Sequence, residues 1–116
     1  MGVNTMKRKH DVDRFEIKQK LVGDMLAGTK TMGEVGKALR VDALKMSQTN
    51  VCKLTGLSRQ VVSDIENDMG NPRLDSLQAY FTLMGLELAV LPRERSELVA
   101  LESTFTKQTN VADTAK

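Results

Sequence analysis

Apolar residues recur along this chain at helical spacing, and the clearest run lies between Ser47 and Asn67. Val51 and Leu54 fall on one face of a first short helix, Leu57 sits in a turn, and Val62 and Ile65 repeat at helical spacing on a second. Ser47 and Ser58 each stand where a helix start needs an acceptor for its free N–H groups, and Gly56 supplies a left-handed stop. The spacing therefore predicts two short helices that share one small core. Arg59, Gln60, Ser63, Asp64 and Asn67 are left as an outward polar strip on the second helix.

The same periodicity predicts the flanking elements. From Val12 to about Ala27 a helix is expected, capped by Asp11 or Asp13, with Phe15, Val22, Met25 and Leu26 as its apolar stripe and Ile17 and Leu21 on the flank. Gly28-Thr29-Lys30 ends it. Thr31 and Glu34 form a capping box before Met32, Val35, Leu39 and Leu44, a helix expected to run to about Leu44. After Pro72, Leu74, Leu77, Tyr80, Phe81 and Met84 mark a further helix that stops at Gly85, with both aromatic residues as packing residues. Beyond it the period changes to two: Leu86, Leu88 and Val90 alternate with Glu87, Ala89 and Leu91, and Pro92 closes a short strand. A lone strand cannot pair its own backbone, so this one is expected to pair antiparallel with its copy in a second subunit. An extended tail lying flat on the domain is the competing reading.

The outward strip on the second short helix has chemistry of its own. Arginine and glutamine at a helix start are suited to bidentate bonds with guanine and adenine edges in a DNA major groove, whereas a merely solvated face is the ordinary alternative. Caps, glycine, core and strip agree here, which favours DNA contact.

These residues carry a resemblance. Ser47-Gln48, Gly56-Leu57-Ser58 and Val62-Ser63-Asp64-Ile65-Glu66-Asn67 resemble the helix-turn-helix of the Xre and phage-repressor (Cro/C1-type) family, most closely its HipB-type antitoxin branch, with the similarity covering residues 31–91. The resemblance implies an all-α fold: a five-helix, lambda-repressor-like helix-turn-helix domain with an added N-terminal helix and a short C-terminal β-strand for dimerisation. It implies that Arg59, Gln60 and Ser63 contact bases, that Gln48, Ser58, Asn67 and Arg73 contact phosphate, and that Val61 and Asp64 lie at the base or rim, Val61 against a thymine methyl. It also implies dimerisation through Leu86, Leu88 and Val90. Cys52 takes a place where the family has alanine, and reads as a small packing residue. Phage repressors pair a first-helix arginine with the recognition-helix glutamate, here Glu66. The matching position by count is Val41, with Arg40 beside it, so the count does not predict that ion pair. The ending Asn67-Asp68-Met69-Gly70-Asn71-Pro72 is longer than the family's usual Glu-Asn-Gly, so its backbone contacts are not carried over.

Composition sets the limits. A chain of 116 residues with 41% hydrophobic content, three Phe, one Tyr and no Trp holds one mainly helical domain plus arms. The net charge is +2, and most of the excess lies in the first twenty residues, where Lys7, Arg8, Lys9, Arg14, Lys18 and Lys20 face Asp11, Asp13 and Glu16. Lys7-Arg8-Lys9-His10 stands equally as an arm for the DNA backbone or minor groove and as a solvated tail. The expected organisation is a flexible basic arm at 1–11, the additional amphipathic helix at 12–30, the helix-turn-helix domain with its dimerisation strand at 31–92, and a mostly disordered tail at 93–116. In that tail Leu98, Val99 and Leu101 are the candidates for partner contact.

With one His, one Cys and no phosphate-binding glycine loop, the chain offers no catalytic constellation, metal site or cofactor site, and one cysteine excludes an internal disulfide. No apolar run is long enough to span a bilayer or to serve as a cleavable signal. The expected protein is cytoplasmic and nucleoid-associated, encoded by a bacterium, phage or plasmid. The expected function is a sequence-specific DNA-binding repressor on an inverted-repeat operator, working as a homodimer without a membrane. It is read either as the autoregulating antitoxin of a toxin-antitoxin operon, with a toxin partner, or as a stand-alone regulator. The other class of reading is a protein-interaction module.

Overall fold

A computed structural model describes residues 9–104. The regular elements among these residues are all helices, with no strand among them. The elements are α1 (Lys9–Ala27), α2 (Met32–Ala38, continued by a π-helical turn over Leu39–Ala43), α3 (Gln48–Thr55), α4 (Arg59–Glu66), α5 (Leu74–Leu83) and α6 (95–104). Residues 1–8 of the expected basic arm lie outside the described residues, and α1 already includes Lys9.

Local hydrogen bonding sets the boundaries. Gly28 (φ 87) and Thr29 close α1 by donating to the carbonyls of Met25 and Asp24, so the left-handed glycine satisfies two carbonyls at the helix end. The capping box at the start of α2 is formed: Glu34 N–H donates to Thr31 Oγ1 at 3.0 Å and Thr31 N–H to Glu34 Oε1 at 2.9 Å. A second acceptor reaches the same helix end from the loop after α4. Asp68, held at φ 54, accepts from Gly33 N–H at 2.9 Å and from the Thr31 hydroxyl at 2.6 Å.

The core is aliphatic. Val35 and Leu39 of α2, Val51 of α3, Val62 and Ile65 of α4 and Phe81 of α5 are buried together, with Tyr80 packed edge-on to Phe81 at 5.0 Å. Tyr80 reaches the centre because Gly36 leaves room for it: a Cβ there would stand 2.6 Å from the tyrosine ring.

Three assignments of apolar phase differ from expectation. In α1 the buried line is Ile17, Leu21 and Met25, one residue in four, while Phe15 is 55% exposed. Arg14 and Lys18 fix that rotation by donating to the carbonyls of Ala43 and Gly85. Leu54 is 65% exposed, because α3 turns Val51 inward and presents Cys52 and Thr55, not Leu54, to the interior edge. Leu74 is likewise exposed at the first turn of α5.

The expected strand is absent. Residues 86–92 carry no regular structure, yet burial alternates as the sequence implies: Leu86 and Leu88 pack against the core of their own domain, while Val90 is fully exposed. After Leu86 N–H, which donates to Phe81, no backbone hydrogen bond joins 87–92 to other described residues. A strand is defined by its ladder, and no other described segment pairs with this one. Part of the region expected as tail is α6, where Glu97 and Leu98 N–H donate to the Glu94 carbonyl. Residues 105–116 lie outside the described residues.

The close approach at Gly36 gives a direct test of this packing. Gly36→Ala forces a methyl into the Tyr80 ring and should destabilise the protein by about 1–3 kcal/mol, measured as a lower midpoint in urea unfolding.

Candidate nucleic-acid interface

The second helix of the turn, α4, spans eight residues and is too short to be stable by itself, so its position is set by what it buries. Ser58 caps it by accepting from Val61 N–H at 3.1 Å, and Val62, Ile65 and Glu66 form its inward face. Two of these are ordinary core residues. The third is a carboxylate whose side chain is 1% exposed.

Glu66 is satisfied on every side. Arg40 donates Nε to Oε2 at 2.6 Å and Nη2 to Oε1 at 2.9 Å, Tyr80 donates its hydroxyl to Oε2 at 2.7 Å, and Gln48 donates Nε2 to Oε1 at 3.0 Å. Arg40 also donates Nη1 to the Met46 carbonyl at 2.9 Å. Burial alone raises the pKa of Glu66, but the hydrogen bonds from Arg40, Gln48 and Tyr80, with the arginine charge, outweigh it and hold the carboxyl below its ordinary value. The bond to Glu66 raises the pKa of Arg40, and burial with the adjacent carboxylate drives the Tyr80 phenol well above its own.

The arginine–glutamate pair that counting left out is therefore present, made by Arg40 while Val41 is 43% exposed. The cause is the π-helical turn. Leu44 N–H reaches back five residues to Leu39, and the wider turn holds one residue more than a regular helix, which moves the inward position from Val41 to Arg40.

From the buried carboxylate the network runs outward. Glu66 accepts only, so the nitrogen of the Gln48 amide faces it and the oxygen faces away. That oxygen accepts from Arg59 Nε at 2.7 Å, and Thr49 Oγ1 lies 3.4 Å from Arg59 Nη1. The guanidinium of an exposed arginine is thus held against the first turn of α3 by a chain of bonds that begins in the core. Gln60 donates Nε2 to Asp64 Oδ1 at 2.8 Å, and Asn67 donates Nδ2 to the Ser63 carbonyl at 2.9 Å and to its hydroxyl at 3.3 Å.

The structure brings together Arg59, Gln60, Ser63, Asp64 and Asn67 on one edge of α4, with Gln48 and Ser58 beside them. Gln48 is half-buried, with both ends of its amide engaged within the protein, while the Ser58 hydroxyl keeps its proton free while its oxygen caps the helix. Val61 is half-buried against the core. Arg73 is exposed and forms a two-bond pair with Asp75 at 3.1 and 3.2 Å, a surface pair of little energetic weight. Sequence reasoning missed Arg40, Tyr80 and Thr49. One signal pointed to the first two: Glu66 shares a helix face with Val62 and Ile65, and a carboxylate on such a face requires buried donors.

A family model described as helix-turn-helix matches residues 37–91. The chain is also similar to an immunity repressor protein of Bacillus phage phi105, 32% identical over 66 residues that make up 57% of this chain and 45% of that relative. The chain thus matches a little under half the length of the relative. Neither match is described as an antitoxin. No solved structure matches. Among the described residues no helix is long and apolar enough to cross a membrane.

Removing Arg40 strands the Glu66 charge in the core, so Arg40→Ala should cost about 3–5 kcal/mol by chemical denaturation. The depressed Glu66 pKa adds an acid limb to stability. Its contribution is fully present above the carboxyl's unfolded pKa and fades as pH falls through the lower folded value. Glu66→Gln should flatten that limb in a series of unfolding curves taken from neutral to acid pH.

Proposed function

Residues 37–91 form a helix-turn-helix domain of the Xre and phage-repressor family, and from that premise we propose that the chain is a sequence-specific DNA-binding transcriptional repressor. The observation that carries the reading is the division of α4: one face locked into the core through Val62, Ile65 and Glu66, the other exposing Arg59 and Gln60 at the helix start. A helix so held enters the major groove with its polar edge forward.

Arg59 reads guanine through its O6 and N7, with Gln60 and Ser63 reading the neighbouring bases. Gln48, Ser58, Asn67 and Arg73 fix the register on phosphates, and Val61 lies at the rim against a thymine methyl. The weak surface pair between Arg73 and Asp75 opens for a phosphate at little cost.

The protein works as a homodimer on an inverted-repeat operator, with its two α4 helices about 34 Å apart along the duplex. What supports the dimer is segment 87–92, whose backbone groups make no backbone hydrogen bond to other described residues while Leu86 and Leu88 are anchored on their own core. Paired antiparallel with its copy, the segment gains a ladder. Val90, on the same face as Leu86 and Leu88 yet fully exposed, then overhangs the partner subunit. The phage relative's description as an immunity repressor favours a stand-alone regulator over the antitoxin of a toxin-antitoxin operon.

Arg59→Ala should weaken operator binding by roughly 1–3 kcal/mol and relax the preference at one base pair in each half-site, read by fluorescence anisotropy on a set of operator variants. Retained wild-type sequence preference would remove Arg59 from the base-reading set. Val90→Asp leaves the domain core untouched and should shift the mass measured by light scattering from dimer to monomer. An unchanged dimer mass would refute the strand pairing.

A further inference from the structure

The hydrogen bond between Gln60 and Asp64 restricts which base the glutamine is able to read. The inference rests on α4 being the groove helix and adds a rule for one base pair. Asp64 stands one helical turn after Gln60 on the exposed edge, half-buried because the loop after α4 closes over it. A Cβ at Gly70 would lie 2.8 Å from Asp64 Oδ2, so that side of the carboxylate is flanked by backbone that only glycine, at φ 69, allows so close. The other oxygen, Oδ1, accepts from Gln60 Nε2 at 2.8 Å. Asp64 is thus turned toward the protein and not toward the groove.

The consequence follows from counting donors. A glutamine amide has two N–H donors and one acceptor oxygen, while an ionised carboxylate only accepts. Turning the amide over would set Oε1 against Oδ1, so its nitrogen must face Asp64. One donor is then spent, and what remains to face a base is one N–H beside one oxygen. In the major groove adenine presents an acceptor, N7, next to a donor, the N6 amine, whereas guanine presents two acceptors, N7 and O6. The remaining donor–acceptor pair of Gln60 complements adenine and sets its oxygen against O6 of guanine.

We propose that Asp64 is a positioning residue that makes Gln60 a reader of adenine and excludes guanine at that base pair. Its role is separate from that of Arg59, which Gln48 and Thr49 hold independently.

The test uses the full-length protein and a pool of randomised duplexes, with the bound sequences read out and dissociation constants then measured for single-base variants. Gln60→Ala identifies the base pair concerned, as the position at which preference disappears. At that position the wild-type protein should favour adenine over guanine by roughly 5- to 150-fold. Asp64→Asn keeps the shape of the side chain but offers either a donor or an acceptor, and should erase most of that preference while leaving the base choice of Arg59 intact. A readout free of folding effects is wild-type binding to duplex carrying hypoxanthine in place of the adenine, which presents O6 and should bind as weakly as guanine. Three results would overturn the proposal: no adenine preference at the mapped position, an undiminished preference in Asp64→Asn, or an equal gain in affinity for every sequence in that variant, which would mark Asp64 only as a charge repelling phosphate. A wild-type protein that binds no duplex in a salt-dependent way would overturn both this rule and the groove reading beneath it.

Discussion

One buried carboxylate organises this domain. Glu66 lies at the C-terminal end of α4, on its inward face, and accepts bonds from α2, α3 and α5 at once through Arg40, Gln48 and Tyr80. Taking an arginine and a glutamate out of water costs several kcal/mol per ion, and attraction between them offsets that cost only where geometry is good and the remaining sites are bonded. Both conditions hold here, and no buried side-chain polar atom among the described residues lacks a partner. The net gain in stability from such a cluster is small. Its effect is on position, because each donor comes from a different element and all of them must converge for any of them to be satisfied.

That convergence explains features that look unrelated. Gly36 is small so that Tyr80 can pass it, the π-helical turn brings Arg40 inward, and Ser47 starts α3 where Gln48 can reach down to the carboxylate. The orientation of the Gln48 amide then passes to Arg59. The exposed arginine is held by the same constraint that holds the core, and disturbing Arg40 or Tyr80 disturbs the exposed face of α4 from within the core.

What was legible in the sequence was whatever is decided locally. Thr31 with Glu34, Ser47, Gly56 and Ser58 define helix ends by hydrogen bonds within a few residues of themselves, and all of them form. Phase was harder. An eight-residue helix has too few turns for periodicity to distinguish a line through Leu54 from one through Thr55, and α1 carries enough apolar residues to support two neighbouring stripes. Arg40 was displaced by a change of helical pitch that no single residue announces. The strand failed for another reason: alternation from Leu86 to Val90 is a property of the chain, but a ladder is a property of two segments. Helix α6 is not announced by the sequence because Leu98, Val99 and Leu101 are few and a long polar run follows them.

Charge makes the last connection. Within α4 the positive Arg59 is matched in number by Asp64, Glu66 is neutralised by Arg40 from α2, and the whole chain carries only +2. Under the proposed reading, one domain gains little from phosphate attraction, so its non-specific affinity is low and discrimination among bases decides where it binds. Low affinity for a single half-site is workable only if two half-sites are engaged together, since a second contact made within the same complex multiplies the first. Under that reading, the sparse charge on the exposed face of α4 and the lack of backbone partners for 87–92 among the described residues point in one direction: a domain selective and weak alone, to which pairing with a second copy would add the missing strength.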